Sequence, residues 1–351
     1  MMVMSASSTD FKSSVLDQQS RPLAALMILI MGSIILLLAV ILSIFVGSRG
    51  IAIRTVWDAL FHFNPSIQHH QVIWQLRMPR ALAGVMVGAS LAVAGAIMQG
   101  MTRNPMADAG LLGLNAGAGL ALAVCFALFP TLSKSGILIA TFMGAGLGAF
   151  IVYGVGSLSR NGLSPVRLTL SGAAVSALFV ALSEGIALYF HIGQDLSFWL
   201  SGGLAGTNWA QVYVMFPWVV AALVGSCLLA RSITMLSLGE EVALGLGMRS
   251  GWVKVAAIIV VLILAGASVS AAGMVVFVGL VVPHIVRFLV GVDYRWIIPC
   301  SAVMGGLLMV LADILAISLN PMHENPVGAL ISLIGVPFFL IMIRKSGRGM
   351  K

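Results

Sequence analysis

RMPRALAGVMVGASLAVAGAIMQG, residues Arg77 to Gly100, is a nearly charge-free run fronted by two arginines one helical turn apart, Arg77 and Arg80. At about 1.5 Å per residue, some 20 apolar residues cross a hydrocarbon core of roughly 30 Å, so the run predicts a membrane-spanning helix with a basic collar. Gly84, Gly88, Ala89, Ala92, Gly95 and Ala96 recur at small-xxx-small spacing. That spacing lets neighbouring helices approach closely with no lipid between them, so the helix belongs inside a bundle.

The rest of the chain has the same character. Hydrophobic residues make up 60% and charged residues 9% of it, and the mean hydropathy is +1.08. Too little polar surface remains to cover a soluble globule, and the alternating ten-residue segments of a membrane barrel are absent. The predicted fold class is therefore all-α: a polytopic membrane protein of about ten spans. Apolar runs between polar or proline-containing joints place these at 23–47, 78–101, 108–129, 136–158, 167–190, 210–230, 252–271, 274–289, 296–318 and 326–344. The run from Leu23 to Val46 is too long for a signal-peptide core and reads as a retained first span. Residues 1–22 and 346–351 read as cytoplasmic tails flanking one transmembrane domain, 23–345. With both termini inside, the outer joints hold only Arg49, Arg54, Arg77, Arg80 and Lys134 of the nineteen basic residues, the arrangement that the positive-inside rule selects. The net charge of +8 is thus a topology signal and gives no reason to invoke nucleic acid.

Three joints look structured. On the outer side, Ile53 to Phe63 places Val56, Trp57, Leu60 and Phe61 on one helical face, as an interfacial helix would. Also outside, Trp199 and Trp209 bracket a glycine-rich stretch that fits a short helix at headgroup level. On the inner side, LSLGEEVALGLGM (Leu236 to Met248) offers Ser237 and Glu240 at capping-box spacing, with Gly245 or Gly247 available to end the helix. Its two early acids, Glu240 and Glu241, disfavour an anionic bilayer surface and favour docking on a protein partner through Val242, Leu244 and Leu246.

Chemistry is otherwise sparse. No HExxH, GxSxG or GxxxxGK[ST] motif occurs, and Cys125, Cys227 and Cys300 lack ligand spacing. The twenty methionines are scattered and read as core packing. His284 reads as a helix-end hydrogen bonder, and His69 and His70 as residues of a solvated loop. Glu184 and Asp313 are acids within predicted spans, hence functional candidates by default.

RMPRALAGVMVGASLAVAGAIMQG, TRNPMADAGLLGLNAGAG (Thr102 to Gly119), LSLGEEVALGLGM, GMVVFVGLVVPHIVR (Gly273 to Arg287), LADI (Leu311 to Ile314) and NPVGALISLIGVPFFLIMI (Asn325 to Ile343) together resemble the FecCD-type permeases. These belong to the type II ABC importers of iron-siderophore complexes, haem and cobalamin, and the match covers about 70–345 in the family's order. The resemblance implies a cobalamin-importer-permease-like subunit in the cytoplasmic membrane of a prokaryote. It implies pairing with a second permease subunit, identical or paralogous, and docking on two cytosolic ABC ATPase subunits. Substrate, foremost a ferric siderophore, would come from an extracytoplasmic binding protein. No cofactor is expected on this chain, with ATP and Mg held by the ATPases, and the chain itself is not expected to be an enzyme. A secondary transporter is the alternative from another class; its paired midplane charges in an inverted repeat are not evident.

Residue by residue, the resemblance makes Arg77 and Arg80 the docking pair for the binding protein, with Ile317 standing where related permeases can carry a further base. It makes residues 237–247, with Ser237, Gly239, Glu240, Glu241, Leu244, Gly245 and Gly247, the coupling helix to the ATPase. It places Asn104, Pro105 and Met106 at an inner gate, with Ser164 and Pro165 nearby. Asp313, in the family-like LADI stretch, is favoured as a structural partner. Glu184 lies in the span that resembles the pathway-lining helix and is either a cavity-lining acid or an inter-helix hydrogen bonder.

Overall fold

The computed structural model describes residues 20–46, 53–157, 165–319 and 325–346, and within them the regular structure is helical throughout. The elements are α1 (Pro22–Val46), α2 (Ile53–Phe61), α3 (Gln68–Val72), α4 (Met78–Thr102), α5 (Leu114–Leu128), α6 (Lys134–Ser157), α7 (Pro165–Tyr189), α8 (Gly193–Leu200), α9 (Trp209–Leu238), α10 (Glu240–Gly245), α11 (Ser250–Ala272), α12 (Val278–Val290), α13 (Tyr294–Leu319) and α14 (Val327–Ser346). Among the described residues seven helical segments are long and apolar enough to cross a membrane, and three shorter apolar helices, α5, α12 and α14, stand at the other three expected spans. The chain is a multi-pass membrane protein.

α4 is the axle. It packs against α13, α11, α9 and α12, while α5, α6 and α7 form a second group joined to it through α11. What allows α4 to be surrounded is the small-residue register read from the sequence. A Cβ at Gly88 would collide with the Gly305 carbonyl of α13, and one at Gly95 with the Gly279 carbonyl of α12. These are backbone contacts, so the side of α4 facing each neighbour is fixed to the ångström. α1 is the opposite case: it leans on α13 but leaves Leu23, Met27, Ile30, Met31, Ile34 and Leu38 exposed, a surface suited to lipid.

Several local structures depart from expectation; the helix expected between Trp199 and Trp209 lies earlier, at Gly193–Leu200. The helix carrying the arginine collar begins at Gln68 and runs through a π turn, Ile73–Arg77, into α4. Pro79 has no N–H to offer the Gln75 carbonyl, and its ring would crowd that oxygen in a regular helix. The backbone widens instead, with the Met78 N–H reaching Ile73 O; the Trp74 carbonyl, left over, accepts the Trp209 indole N–H at 2.6 Å. His70, expected in a solvated loop, is consequently buried in α3, where its Nδ1 accepts the Asn64 N–H at 3.1 Å. In α2, Val56 is buried while Trp57 and Phe61 stack outward, 4.5 Å between ring centroids, so the expected single apolar face is divided between core and surface.

α9 runs to Leu238, eight residues past the expected end of that span at 230. Its start is fixed by a capping box that the sequence reading missed: Asn208 Oδ1 accepts the Gln211 N–H at 3.0 Å and Gln211 Oε1 accepts the Asn208 N–H at 3.2 Å. Finally, Gly273 to Phe277 is not helical, and α12 starts four residues later than predicted, after Phe277 at φ 72°. That segment lies against Gly202 and, in the first turn of α14, Gly328, both of which approach the Met274 carbonyl too closely for side chains.

Candidate functional site

The two collar arginines differ in setting. Arg80, in the first turn of α4, is 16% exposed and holds Asp313 of α13, itself 1% exposed. Its Nε donates to both carboxylate oxygens at 3.1 Å and its Nη2 to Oδ1 at 2.7 Å. This fork matches the carboxylate plane, the geometry in which an arginine pair is both strong and specific. Asp313 is thus the structural partner that the sequence favoured. Arg80 of the collar is engaged within the bundle by Asp313. Arg77 sits half-buried in the π turn, one helical turn before.

At the opposite end of the bundle from the collar, α4 stops at Arg103, whose φ of 53° turns the chain sharply. Asn104 then closes a side-chain turn, its Oδ1 accepting the Met106 N–H at 2.9 Å, with the Ala107 N–H donating to Asn104 O at 3.1 Å. Asp108 caps the following 3-10 turn (Ala109–Leu112) by accepting the Gly110 N–H. The short rigid turn expected at Asn104–Pro105–Met106 is present, with Asn104 exposed and Met106 half-buried. Ser164 lies outside the described residues, and Pro165 opens α7, the first-turn position where a missing N–H costs nothing.

Beside this turn lies α10, with Arg103 reaching Gly239 at its start. The capping box expected from Ser237 and Glu240 is absent. Because α9 continues through Ser237, that hydroxyl donates back to Thr234 O at 2.7 Å, and Gly239 is the residue preceding α10. Glu240 instead accepts from Lys254 Nζ at 2.5 Å and from Ser250 at 3.2 Å, tying α10 to the first turn of α11. The Lys254 hydrogen bond holds the Glu240 carboxyl below the ordinary carboxylate range. The far end is closed by Gly247 at φ 80°, with the Met248 N–H on Ala243 O at 3.0 Å and the Gly247 N–H on Leu244 O at 2.9 Å. This is a Schellman end that only glycine enters without strain. Between the two ends Ala243 is fully buried against the bundle, while Glu241, Val242, Leu244, Gly245 and Leu246 face outward. A two-turn helix clamped at both ends thus offers three exposed apolar side chains to whatever docks on it.

Near the same end of the bundle as the Asn104 turn lies a polar network that sequence reading did not anticipate. Pro283 in α12 leaves the Gly279 carbonyl without an intrahelical donor. Gln99 Nε2 of α4 supplies one at 3.0 Å, and its Oε1 accepts from Arg287 Nη2 at 3.0 Å. Arg287 also reaches Tyr294 Oη at 3.2 Å, and the Tyr294 N–H donates to Thr234 of α9 at 3.0 Å. A glutamine in an apolar span, together with a proline in the motif LVVPHIVR, was the available signal. His284 packs edge-on against Phe338, with 5.8 Å between ring centroids.

Glu184 lines a cavity of about 280 Å³ between α5, α7 and α8, with Asn115, Ser176, Val180 and Ser183 also on its wall. A larger cavity of about 500 Å³ opens around Lys134, Gln211 and Asn325 and holds none of the site residues expected from the sequence.

The FecCD transport family profile matches residues 35–345. The chain belongs to that family. It is 51% identical over 334 residues to the iron(3+)-hydroxamate import system permease protein FhuB of Bacillus subtilis, covering 94% of this chain and 86% of that one. It is 39% identical over 320 residues to the iron-uptake system permease protein FeuB of the same organism, covering 91% and 96%. A solved structure described as an inward-facing conformation of a metal-chelate type ABC transporter superposes with a TM-score of 0.79 at 27% identity, over 91% of this chain and 99% of that one. The resemblance read from the motifs therefore holds over nearly the whole length, and the all-helical permease architecture with it.

Proposed function

We propose that this chain is the membrane-spanning subunit of a binding-protein-dependent ABC importer that carries an iron(III) chelate across the cytoplasmic membrane. ATP is hydrolysed on separate ATPase subunits that bind its Mg, and both termini of the permease face them. The observation that carries the reading is α10, rigidly clamped yet exposing Val242, Leu244 and Leu246 beside the inner turn. A transport subunit without a nucleotide site needs such an element to receive motion from its motor. Membership of a family whose relatives are iron-uptake permeases supports iron chelates as cargo. Binding-protein carboxylates would meet the outer collar at Arg77 and Arg80, the latter also paired with Asp313. Residues 23–345 would form one transmembrane domain that pairs with a second permease copy across the pathway.

Gly245 provides the test. Nothing lies within 4 Å of a Cβ built there, so Gly245→Trp leaves the isolated permease intact. Its bulk would fall on the docking surface. We expect normal yield and melting temperature, at least a tenfold loss of co-purifying ATPase, and loss of ATP-dependent iron-chelate uptake in proteoliposomes. Normal ATPase co-purification with normal uptake would overturn the assignment of α10.

The turn at Asn104–Met106 would form the inner gate, where Met106, a flexible apolar side chain, can close a pore by excluding water. Cysteine placed at position 106 should crosslink between the two permease copies in the resting state, at Cα separations of about 4.4 to 6.8 Å, and ATP trapping should change the yield. A thiol that crosslinks in no nucleotide state would remove Met106 from the gate.

A further inference from the structure

α7 is packed on one side only. Ser171, Val175, Phe179, Ser183 and Ala187 recur every fourth residue and are buried, meeting α5 and α6 through contacts such as those of Val152 with Val175 and Phe179. The opposite side leaves Leu170, Leu178, Val180, Leu182 and Leu188 exposed. Glu184 stands on this uncovered side and has no hydrogen bond or ion pair among the described residues. It lies one turn after Val180 and about 7.5 Å from the end of α7 at Tyr189, which is the outer third of the span.

An unpaired carboxylate at that depth is strongly disfavoured against lipid, and such groups face water-filled spaces or partners. Here the space is present: a cavity whose wall is Asn115, Ser176, Ser183 and Glu184 among small and apolar residues, with no basic side chain on it. The arrangement combines neutral hydrogen-bonding groups, which suit amide-rich ligands of any charge, with one fixed negative charge that discriminates by sign. A wall of low dielectric focuses the field of that charge into the cavity.

We propose that Glu184 is a specificity-determining residue, an electrostatic filter in the outer part of the pathway that favours neutral or cationic iron chelates and disfavours anionic ones. Three hydroxamates cancel the charge of ferric iron, whereas three catecholates leave three negative charges. The filter therefore selects hydroxamate-type over catecholate-type cargo. This rests on the reading of the chain as an iron-chelate permease, but the filter is measurable without transport.

The reporter is Val180→Cys, on the cavity wall and 45% exposed, in the full-length chain with the exposed native thiol removed by Cys227→Ser. Reaction rates with a cationic and an anionic methanethiosulfonate, each normalised to a free thiol in solution, give a charge-selectivity ratio. With Glu184 one turn away, the cation should be favoured by about tenfold. Glu184→Gln should bring the ratio near unity, and Glu184→Lys should invert it. A ratio indifferent to residue 184 overturns the filter. So does a reporter that reacts with a lipid-soluble maleimide and with neither charged reagent, because Glu184 would then face the bilayer. ATP-dependent uptake of a monocationic trihydroxamate iron chelate by the unmodified importer is measured beside it. Its absence would sink the importer reading, while the thiol ratio would still decide for or against the filter.

Discussion

Gly95→Leu should prevent the bundle from closing. A Cβ at Gly95 falls on the carbonyl of Gly279, with the carbonyl carbon and Cα of Gly279 also too near, so the obstruction is backbone and cannot be relieved by a rotamer change. α4 would have to move away from α12, and the Gln99 Nε2 bond to Gly279 O, one turn further along, would break with it. Overpacking a core ordinarily costs about 1–3 kcal/mol, and a clash with helix backbone belongs at or above the upper end. Since helix association in a membrane rests on close packing and few hydrogen bonds, losing both at one contact should be decisive. We expect little monodisperse protein after detergent extraction, and a clearly lowered melting temperature in what survives. The control is Gly146→Leu, on a helix of the same bundle where an added Cβ meets nothing within 4 Å. Equal melting of Gly95→Leu, Gly146→Leu and the parent would show that this packing contact is not limiting.

Gly95 also shows what was legible in advance. The small-residue spacing of α4 is written in its sequence and needs no partner to be read, and the ten spans follow from apolar length alone. The departures arise where one residue has two permitted uses and a distant group decides. Pro79 suits the first turn of a helix, and it also suits a π turn if some donor takes the stranded carbonyl; that donor is Trp209, far away in the chain. Ser237 suits an N-cap, and it also suits the last turn of α9 if the helix persists. It persists because the face of α9 carrying Ala230, Ile233 and Leu236 is buried in the bundle. Asn208 and Gln211 had capping-box spacing too, but lay in a loop read for its tryptophans. At the site, the short helix α10 was readable from its acids and glycines. The commitment of Arg80 to Asp313 was not, because 233 residues separate the partners and the sequence holds no sign of which acid meets which base.

That ion pair gives the second large expected effect, and it is asymmetric. Arg80 keeps 16% exposure and can recover some hydration if Asp313 is removed; Asp313, at 1%, has no such recourse if Arg80 is removed. Truncating one partner of a buried pair costs about 3–5 kcal/mol, chiefly from stranding the other charge. Arg80→Ala should therefore destabilise the protein more than Asp313→Ala. The double variant should be less destabilised than the sum of the two, by about 0.5–3 kcal/mol, because neither charge is left alone. α4 and α13 already meet at Gly88 and Gly305, so the pair acts at one end of an interface whose middle is fixed, setting how far apart the two helices stand at the collar. A docking residue would behave differently: Arg80→Ala would then lower binding-protein affinity at unchanged melting temperature, and Asp313→Ala would leave affinity intact or raise it by releasing the arginine. Melting curves of the three variants, read with binding-protein affinity on the same preparations, separate the two. Strict additivity with no thermal shift in either single variant would remove the structural role assigned to the pair. The non-additive pattern would place Arg80 inside the bundle's architecture.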